Sequence, residues 1–509
     1  PPPPPPPPQP AEPPSSPAPP PAPAEGDLAP ALADLSRAAQ IRDAYRDLLG
    51  AGSARESLRS FESLLHLLTL RRPLNYHDVA GALKEQLDRP LRGLLDCIDR
   101  KLQEQGCPLP HGRYAARPLR GVSFAICGAG PVGLRCALEL SALGGQVVVF
   151  EKRSSFDRLN RLKLWEWVKY DLIGWGARQL MPKFGAGAGH LHIGIAQLQL
   201  LLLKIGLLLG VEVQLETSLA EGTAPEGPLL MASVNAQAPV AVPCDVLVEA
   251  GGPHNLVWSS SNLHFDTVGT AKATGLVANF RRSPETAESL QEFSWARQFN
   301  LPLFNDLKDK VQADLENIVY LQGEEAHYFV MTPRLASLVD AGVLSTATTP
   351  FEEANLEALQ RHARAIAKYF DLPESCEFAT KPQLFDFSKR RSCSSALEAL
   401  AAHPQAPLLL AVVGDALLEP FWPEGLGITR GFLGCLDTSW HLSALTSEDF
   451  QAARRGRAER LANCCVARDR NWRVLKQIAA ANQNEYLLPE EHQRNYALDP
   501  RTRYKPHWL

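Results

Sequence analysis

Apolar residues recur at helical spacing through the first hundred positions. ALADLSRAAQIRDAYRDLLG places them every three or four residues and stops at Gly50, a helix-ending residue. ARESLRSFESLLHLLTL, HDVAGALKEQLDR and LRGLLDCIDRKLQEQG repeat the pattern. These segments predict a helical unit over residues 30–110 that carries no obvious catalytic group and packs against the next domain of the chain. From Arg120 the period changes: GVSFAICGAGPVGLRCALELSALGGQVVVFEKR reads strand, glycine turn, helix, glycine, strand, acidic end. The strand-like runs VEVQL, DVLVEA, NIVYL, HYFVMT and LLLAVVGD come later, with helical patterns such as Phe351–Phe370 between them. This alternation predicts an α/β domain over residues 120–450. Arg454–Gln483 reads as helix again, within a C-terminal helical and extended segment 451–509.

The most apolar stretch is Ile195–Val211, which carries Gln197, Gln199 and Lys204 and is short for a bilayer span. It predicts a buried amphipathic helix, and no membrane association. Residues 1–29 are Pro/Ala/Ser-rich, with 16 of the 42 prolines in the first 23 positions. Such a segment has almost nothing apolar to bury and predicts a disordered tail, with SH3-type or profilin-type modules as conceivable binders. Eight leading prolines form no signal-peptide core.

The net charge of −4 argues against a dedicated nucleic-acid binder. Ten cysteines without C-x-x-C spacing argue against a zinc module and a disulfide framework, and fit a reducing, cytoplasmic setting. No metal site is expected.

Chemistry enters with Gly128-Ala-Gly130-Pro-Val-Gly133, which follows a strand and opens a helix. Gly128 permits the tight turn, Gly130 the approach of a pyrophosphate, and Gly133 close helix–strand packing. The strand VVVF ends in Glu151, 18 positions beyond Gly133, where a ribose hydroxyl partner belongs. A carboxylate there accepts ribose hydroxyls and repels a 2′-phosphate, so FAD or NAD is favoured over NADP at this site. Lys152 and Arg153 come next, then Arg158 and Asn160 as further polar candidates, Arg158 being equally readable as a surface charge. A second glycine cluster, Gly185–Gly189, lacks a framing strand and reads as a loop.

A second signature lies late in the chain. Leu408–Val413 delivers Gly414-Asp415, followed by Pro420, Pro423, Gly425-Leu-Gly427 and a helical run. In one class of flavoproteins such an aspartate holds the ribityl chain, and the next helix aims its N-terminus at the ring, where it stabilises negative charge. CDVLVEAGG has Gly251 where aromatic-hydroxylase-type flavoenzymes carry an aspartate linked to NADPH use.

The motifs GAGPVGLR, VVVFEKRSSFDRLN, DLENIVY, HYFVMT, FDFS, VVGDALLEPFWPEGLG and DPRTRY, in this order, resemble the flavin monooxygenase domain of the MICAL family from about residue 35 onward. The resemblance implies an α/β, FAD-binding Rossmann-like flavoprotein of aromatic-hydroxylase type. It would carry an inserted mixed β-sheet subdomain at about 255–390 and the helical N-terminal unit. It further implies an NADPH- and O₂-dependent enzyme, cytoplasmic and cytoskeleton-associated, that oxidises methionines of F-actin to sulfoxide and releases H₂O₂ when uncoupled. Carried over by motif, Glu151, Lys152 and Arg153 hold the adenosine side, Arg158, Leu159 and Asn160 line the FAD path, and Asp415 binds near the ribityl or pyrophosphate. Trp422 sits by the ring and gates it, and Tyr320 approaches the flavin from the other domain.

The chain departs from the family pattern in places. Lys163 stands where histidine is usual, Val132 replaces a cysteine so that only a backbone contact to FAD survives, and the segment after Tyr320 is one residue longer. The sequence stops soon after DPRTRY, where family members carry calponin-homology and LIM modules. Two other readings stay open at this point: a small-molecule aromatic hydroxylase, and a catalytically weak flavoprotein that serves as an interaction module.

Overall fold

The computed structural model describes residues 25–103, 113–180, 191–224, 227–235, 237–252, 261–269, 273–283, 290–387, 389–400, 406–420 and 425–481. The proline run, Gly185–Gly189, Trp422 and DPRTRY lie outside the described residues.

The described residues begin with five helices, α1 (Glu25–Gly50), α2 (Ala54–Leu68), α3 (Tyr76–Gln86), α4 (Gly93–Gln103) and α5 (Arg113–Ala116). The first begins at Glu25, so residues 25–29, expected in the tail, are helical. Side chains fix the starts of the next two. Ser53 and Glu56 form a reciprocal capping box on α2, and Asn75 accepts from the N–H groups of His77 and Asp78 on α3.

Next come β1 (Ser123–Cys127), α6 (Pro131–Ala142), β2 (Gln146–Glu151), β3 (Arg161–Lys163), α7 (Glu166–Gly174), β4 (His192–Gly194), α8 (Ile195–Leu208) and β5 (Glu212–Leu215). A small antiparallel meander is next, β6 (Thr217–Ala224), β7 (Gly227–Val234) and β8 (Val240–Ala241), and then β9 (Val246–Glu249). The inserted lobe comprises β10 (Phe265–Gly269), β11 (Thr274–Arg281), β12 (Phe293–Ala296), α9 (Leu301–Val311), β13 (Leu315–Gln322), β14 (Ala326–Pro333), α10 (Leu335–Asp340), α11 (Leu356–Tyr369), β15 (Phe378–Asp386) and β16 (Lys389–Cys393). The chain then returns through β17 (Leu397–Ala399), β18 (Leu409–Val412), α12 (Gly427–Leu442), α13 (Ser447–Arg454) and α14 (Glu459–Ala481). The single helix expected from Arg454 is interrupted by Gly456, whose φ of +83° ends one helix before the next begins.

The main sheet has strand order β17-β18-β9-β1-β2-β5, parallel except for β17. The order reverses at β1, and such a switch point opens a crevice at the carboxyl ends of the strands. The inserted five-stranded sheet, β12-β13-β14-β11-β15, is antiparallel in every ladder rather than mixed; β13 and β14 form a hairpin, and the longer returns run through α9 and through α10 and α11.

Each lobe has its own core. The helical unit and the flanking helices of the parallel sheet share one, from Tyr45 and Phe61 through Leu138 and Leu202 to Phe432. The inserted lobe packs one sheet face under α9 and α11, around Phe280, Phe304, Phe329 and Ile366. Helix α8 is buried from Leu198 to Leu208 without a polar face, so it is not the amphipathic helix expected. Its two buried polar residues have partners instead. Lys204 donates to the carbonyls of Leu49 and Ala51 (both 2.7 Å), capping the end of α1, and Gln199 donates to the Ala129 carbonyl (2.8 Å).

Candidate dinucleotide site at the switch point

Strand register levels the site. Cys127 pairs with Phe150 on one side and Glu249 on the other, and Glu249 pairs with Val412. The glycine turn, Glu151, Ala250 and Gly414 therefore emerge on one rim. Gly128 has φ +102°, and a Cβ there would stand 2.8 Å from the Ala250 carbonyl oxygen, so no other residue fits. A Cβ on Gly133 would overlap the Gly128 carbonyl, which is the close helix–strand approach expected of the third glycine. Above Gly130 a Cβ would meet nothing within 4 Å. Gly130 is also the N-cap of α6 and supplies no side-chain bond, so the first-turn N–H groups face open space. That is the geometry in which a helix end receives a pyrophosphate.

Glu151 is buried at the tip of β2. One carboxylate oxygen accepts the Ala129 N–H and the other the Arg153 N–H, both at 2.9 Å. Each oxygen retains a further lone pair for a ribose hydroxyl. With Gln199 on its carbonyl, Ala129 is held from both sides, which fixes the turn before any ligand arrives. Lys152 and Arg153 are exposed beside it, and Leu159 and Asn160 are half-buried. The Asn160 carbonyl accepts the Ile195 N–H that starts α8. Arg158 is exposed and lies within the fields of Asp415 and Glu151; desolvation, then the charge of Arg153, lower its pKa. Desolvation raises the Asp415 carboxyl to about 6, with Glu419 adding to the rise and Arg158 opposing it. An open glycine cradle, an uncapped helix end and carboxylates at either end of the path fit an adenine dinucleotide with a hydroxylated second half.

Val132 sits where α6 meets α12. A Cβ on Gly414 would stand 2.9 Å from its Cγ1, and one on Gly431 would run into its Cγ2. The valine therefore fills a notch made by two glycines. Its carbonyl accepts from Cys435 Sγ (3.3 Å), so that backbone group is engaged within the protein.

Tyr320 belongs to the inserted lobe. It is fully buried in the core of the inserted lobe, its ring tilted against those of Phe293 and Phe329, and its hydroxyl is bonded to His327 Nδ1 at 2.7 Å. Side chains alternate along β13, so Tyr320 points into that core while Leu321 shares the opposite face with Val277 and Tyr328. Tyr328 is close enough to Arg161 to feel its charge, so this second face turns toward the dinucleotide lobe. Trp422 lies outside the described residues.

Two constellations were not foreseen. Behind the glycine turn, Arg135 pairs with Glu139 (2.7 Å) and Asp171 (2.9 Å), and Lys101 pairs with Asp171 (2.9 Å), all buried. Tyr114 donates to Glu139 (2.7 Å), and both cations face the Trp175 ring. Arg135 and then Lys101 hold the Asp171 carboxyl down at about 2 against the cost of burial. Between the lobes, Arg161 Nε donates to His192 Nδ1 (2.7 Å) and His192 Nε2 meets Glu292 (2.8 Å). The same glutamate oxygen accepts the Gln322 N–H at 2.8 Å. Sequence offers one clue to such networks: a polar residue inside an apolar run, as Gln199 and Lys204 are, has to find a partner.

Among the described residues no group of side chains could hold a metal ion, and no helix is long and apolar enough to cross a membrane.

The family described as "Mical, Rossman domain" matches residues 272–392, which here form most of the antiparallel lobe. The chain is 35% identical over 475 residues to [F-actin]-monooxygenase mical1 of Danio rerio, covering 89% of this chain and 37% of that protein. It is 34% identical over 481 residues to [F-actin]-monooxygenase MICAL2 of Mus musculus (89% and 23%). It is also 34% identical over 493 residues to Protein-methionine sulfoxide oxidase mical3b of Danio rerio (89% and 27%). The chain thus spans between about a quarter and somewhat over a third of the length of these relatives. Among solved structures, the flavin-dependent halogenase CmlS superposes with a TM-score of 0.48 at 14% identity, covering 75% of this chain and 69% of that one. The tetrameric form of 2-methyl-3-hydroxypyridine-5-carboxylic acid oxygenase gives 0.43 at 16% (76% and 99%).

Proposed function

We propose, from the premise that this chain belongs to the MICAL family, that it is an FAD-dependent, NADPH- and O₂-consuming monooxygenase that oxidises methionines of F-actin to sulfoxide. The observation that carries the reading is identity of 34–35% across 89% of the chain with proteins named for that activity. The open glycine turn and the carboxylates on the rim of the crevice support it. Glu151 would hold the adenosine ribose with Lys152 and Arg153 beside it. Gly130 and the start of α6 would take the pyrophosphate under Arg158, Leu159 and Asn160. Asp415 would accept from the ribityl hydroxyls.

Bound flavin, reduced by NADPH, supplies an electrophilic oxygen from O₂, and a thioether sulfur is a soft nucleophile. The protein's own part is to bind, orient and exclude water. The uncapped N-terminus of α12 favours negative charge in front of it. The Arg161–His192–Glu292 bridge ties the inserted lobe to the dinucleotide lobe. Trp422 would gate the ring. F-actin is the partner this reading requires, which places the protein with the cytoskeleton.

The test is NADPH oxidation by FAD-loaded protein with and without F-actin, and then peptide mass analysis of the actin. Actin-stimulated turnover with one added oxygen on actin methionines is expected. Peroxide formation without stimulation would remove actin as the substrate. Tight FAD without NADPH use would leave a flavoprotein interaction module. Asp415→Ala should lose FAD, and stoichiometric retention would sink that assignment.

A further inference from the structure

The ribbon β3–β4 carries two cations on one face, Arg161 and Lys163. Their surroundings differ. Arg161 is engaged at the lobe junction through His192, within the fields of Glu292 and Glu324. Lys163 forms no ion pair among the described residues and is exposed. Its aliphatic stem lies on Gly425, where a Cβ would stand 3.0 Å from Lys163 Cδ, and its ammonium is 5.6 Å from the centre of the Trp165 ring. Gly425 has φ +67° and leads through Leu426 directly into α12.

This position can be located along the dinucleotide path. The path starts at Glu151, crosses the start of α6 and passes Asp415, so the remaining end of the ligand lies before the N-terminus of α12. Lys163 is beside that end. We propose that the Lys163 ammonium sets the reduction potential of the bound flavin by stabilising the negative charge its ring gains on reduction. The inference rests on the FAD reading of the crevice. Two electrons and one proton pass from the nicotinamide, which is oxidised, and leave the flavin ring with one more negative charge than before. An unpaired cation beside the ring, with an aromatic face rather than a carboxylate as its neighbour, favours the reduced state. The helix end contributes in the same direction, and the lysine adds a full charge where the helix supplies a partial one.

The experiment compares FAD-loaded wild type, Lys163→Gln and Lys163→Arg. FAD stoichiometry is read first, then the flavin midpoint potential by equilibration with a reference dye, without turnover. Lys163→Gln is expected to keep FAD and to shift the oxidised-to-reduced equilibrium at least tenfold toward oxidised, about 30 mV for a two-electron couple. Lys163→Arg is expected to stay within about twofold of wild type, since charge is retained. An unchanged potential in FAD-loaded Lys163→Gln overturns this inference alone. Loss of FAD from Lys163→Gln also overturns it, because the lysine would then be a binding group. A wild-type chain that takes up no FAD overturns the functional reading and this inference with it.

Discussion

The two lobes solve the problem of buried polarity in opposite ways. Behind the glycine turn, the dinucleotide lobe buries two full cations and two full anions, Lys101, Arg135, Glu139 and Asp171, which balance one another. The inserted lobe buries neutral groups instead: Tyr320 bonded to His327, His362 on α11, and, on the opposite sheet face, Asn279 bonded to Thr380. The difference reflects what each core joins. The charged cluster links α4, α6 and α7, so it ties the helical unit to the nucleotide-binding helix with directional bonds. The inserted lobe is one sheet covered by its own helices, and apolar packing suffices there. Charge balance in a core is robust to mild acid and intolerant of losing one member, whereas neutral histidines are the reverse.

The largest expected effect tests that asymmetry directly. Arg135→Met leaves Glu139 and Asp171 buried without their main cation, and should cost about 3–5 kcal/mol in denaturant unfolding. A loss below about 1 kcal/mol would mean that the cluster is not a fastener.

Acid should act on the other lobe first. Desolvation lowers both His327 and His362 to about 4 from an ordinary 6.5. The unfolded chain therefore binds protons that the folded lobe refuses, and stability is intact above about pH 6.5 and falls as pH drops toward 4. The cost is on the order of 2–3 kcal/mol per histidine. Asp171 acts in a separate window. Its folded pKa of about 2 lies below the ordinary 3.8, so its contribution is present above pH 3.8 and is lost only as pH falls toward 2. Hydrogen exchange at about pH 7 and about pH 4.5 should show β13 and β14 losing protection while α6 keeps it. Equal loss in both lobes would erase the distinction.

The junction of α6 and α12 offers a smaller effect. Gly431→Ala places a methyl against Val132 and should cost about 1–3 kcal/mol. The added change Val132→Ala should restore most of it, and thermal melts of the single and double variants read the coupling. The smallest effect is that of Tyr320→Phe, which removes the bond to His327 and should cost about 1 kcal/mol. It should leave the flavin absorbance spectrum unmoved, and a changed spectrum would return Tyr320 to the flavin site.

Much of this was legible in the chain. Gly50 ends α1 as its position suggested, and the strand–turn–helix around Gly128 needs only local geometry, since a positive φ and close backbone approach select glycine whatever surrounds them. Glu151 and Asp415 were likewise fixed by their places after short apolar strands. Alternation along β13 was also present in the sequence, yet which face was the core depended on α9 and α11 packing under it, and that choice put Tyr320 in the core and Leu321 on the opposite face.

Sequence by itself determined the elements, the glycine turn and the acidic ends of the strands, because these rest on propensities and sterics within a few residues. Only the tertiary structure decided which charges are balanced and which are not. Arg135 met Asp171 across 36 positions and His192 met Glu292 across 100, while Lys163, two residues from Arg161, met no anion among the described residues. Pairing of charges is a property of distance in space, and hydrophobic periodicity carries no record of it.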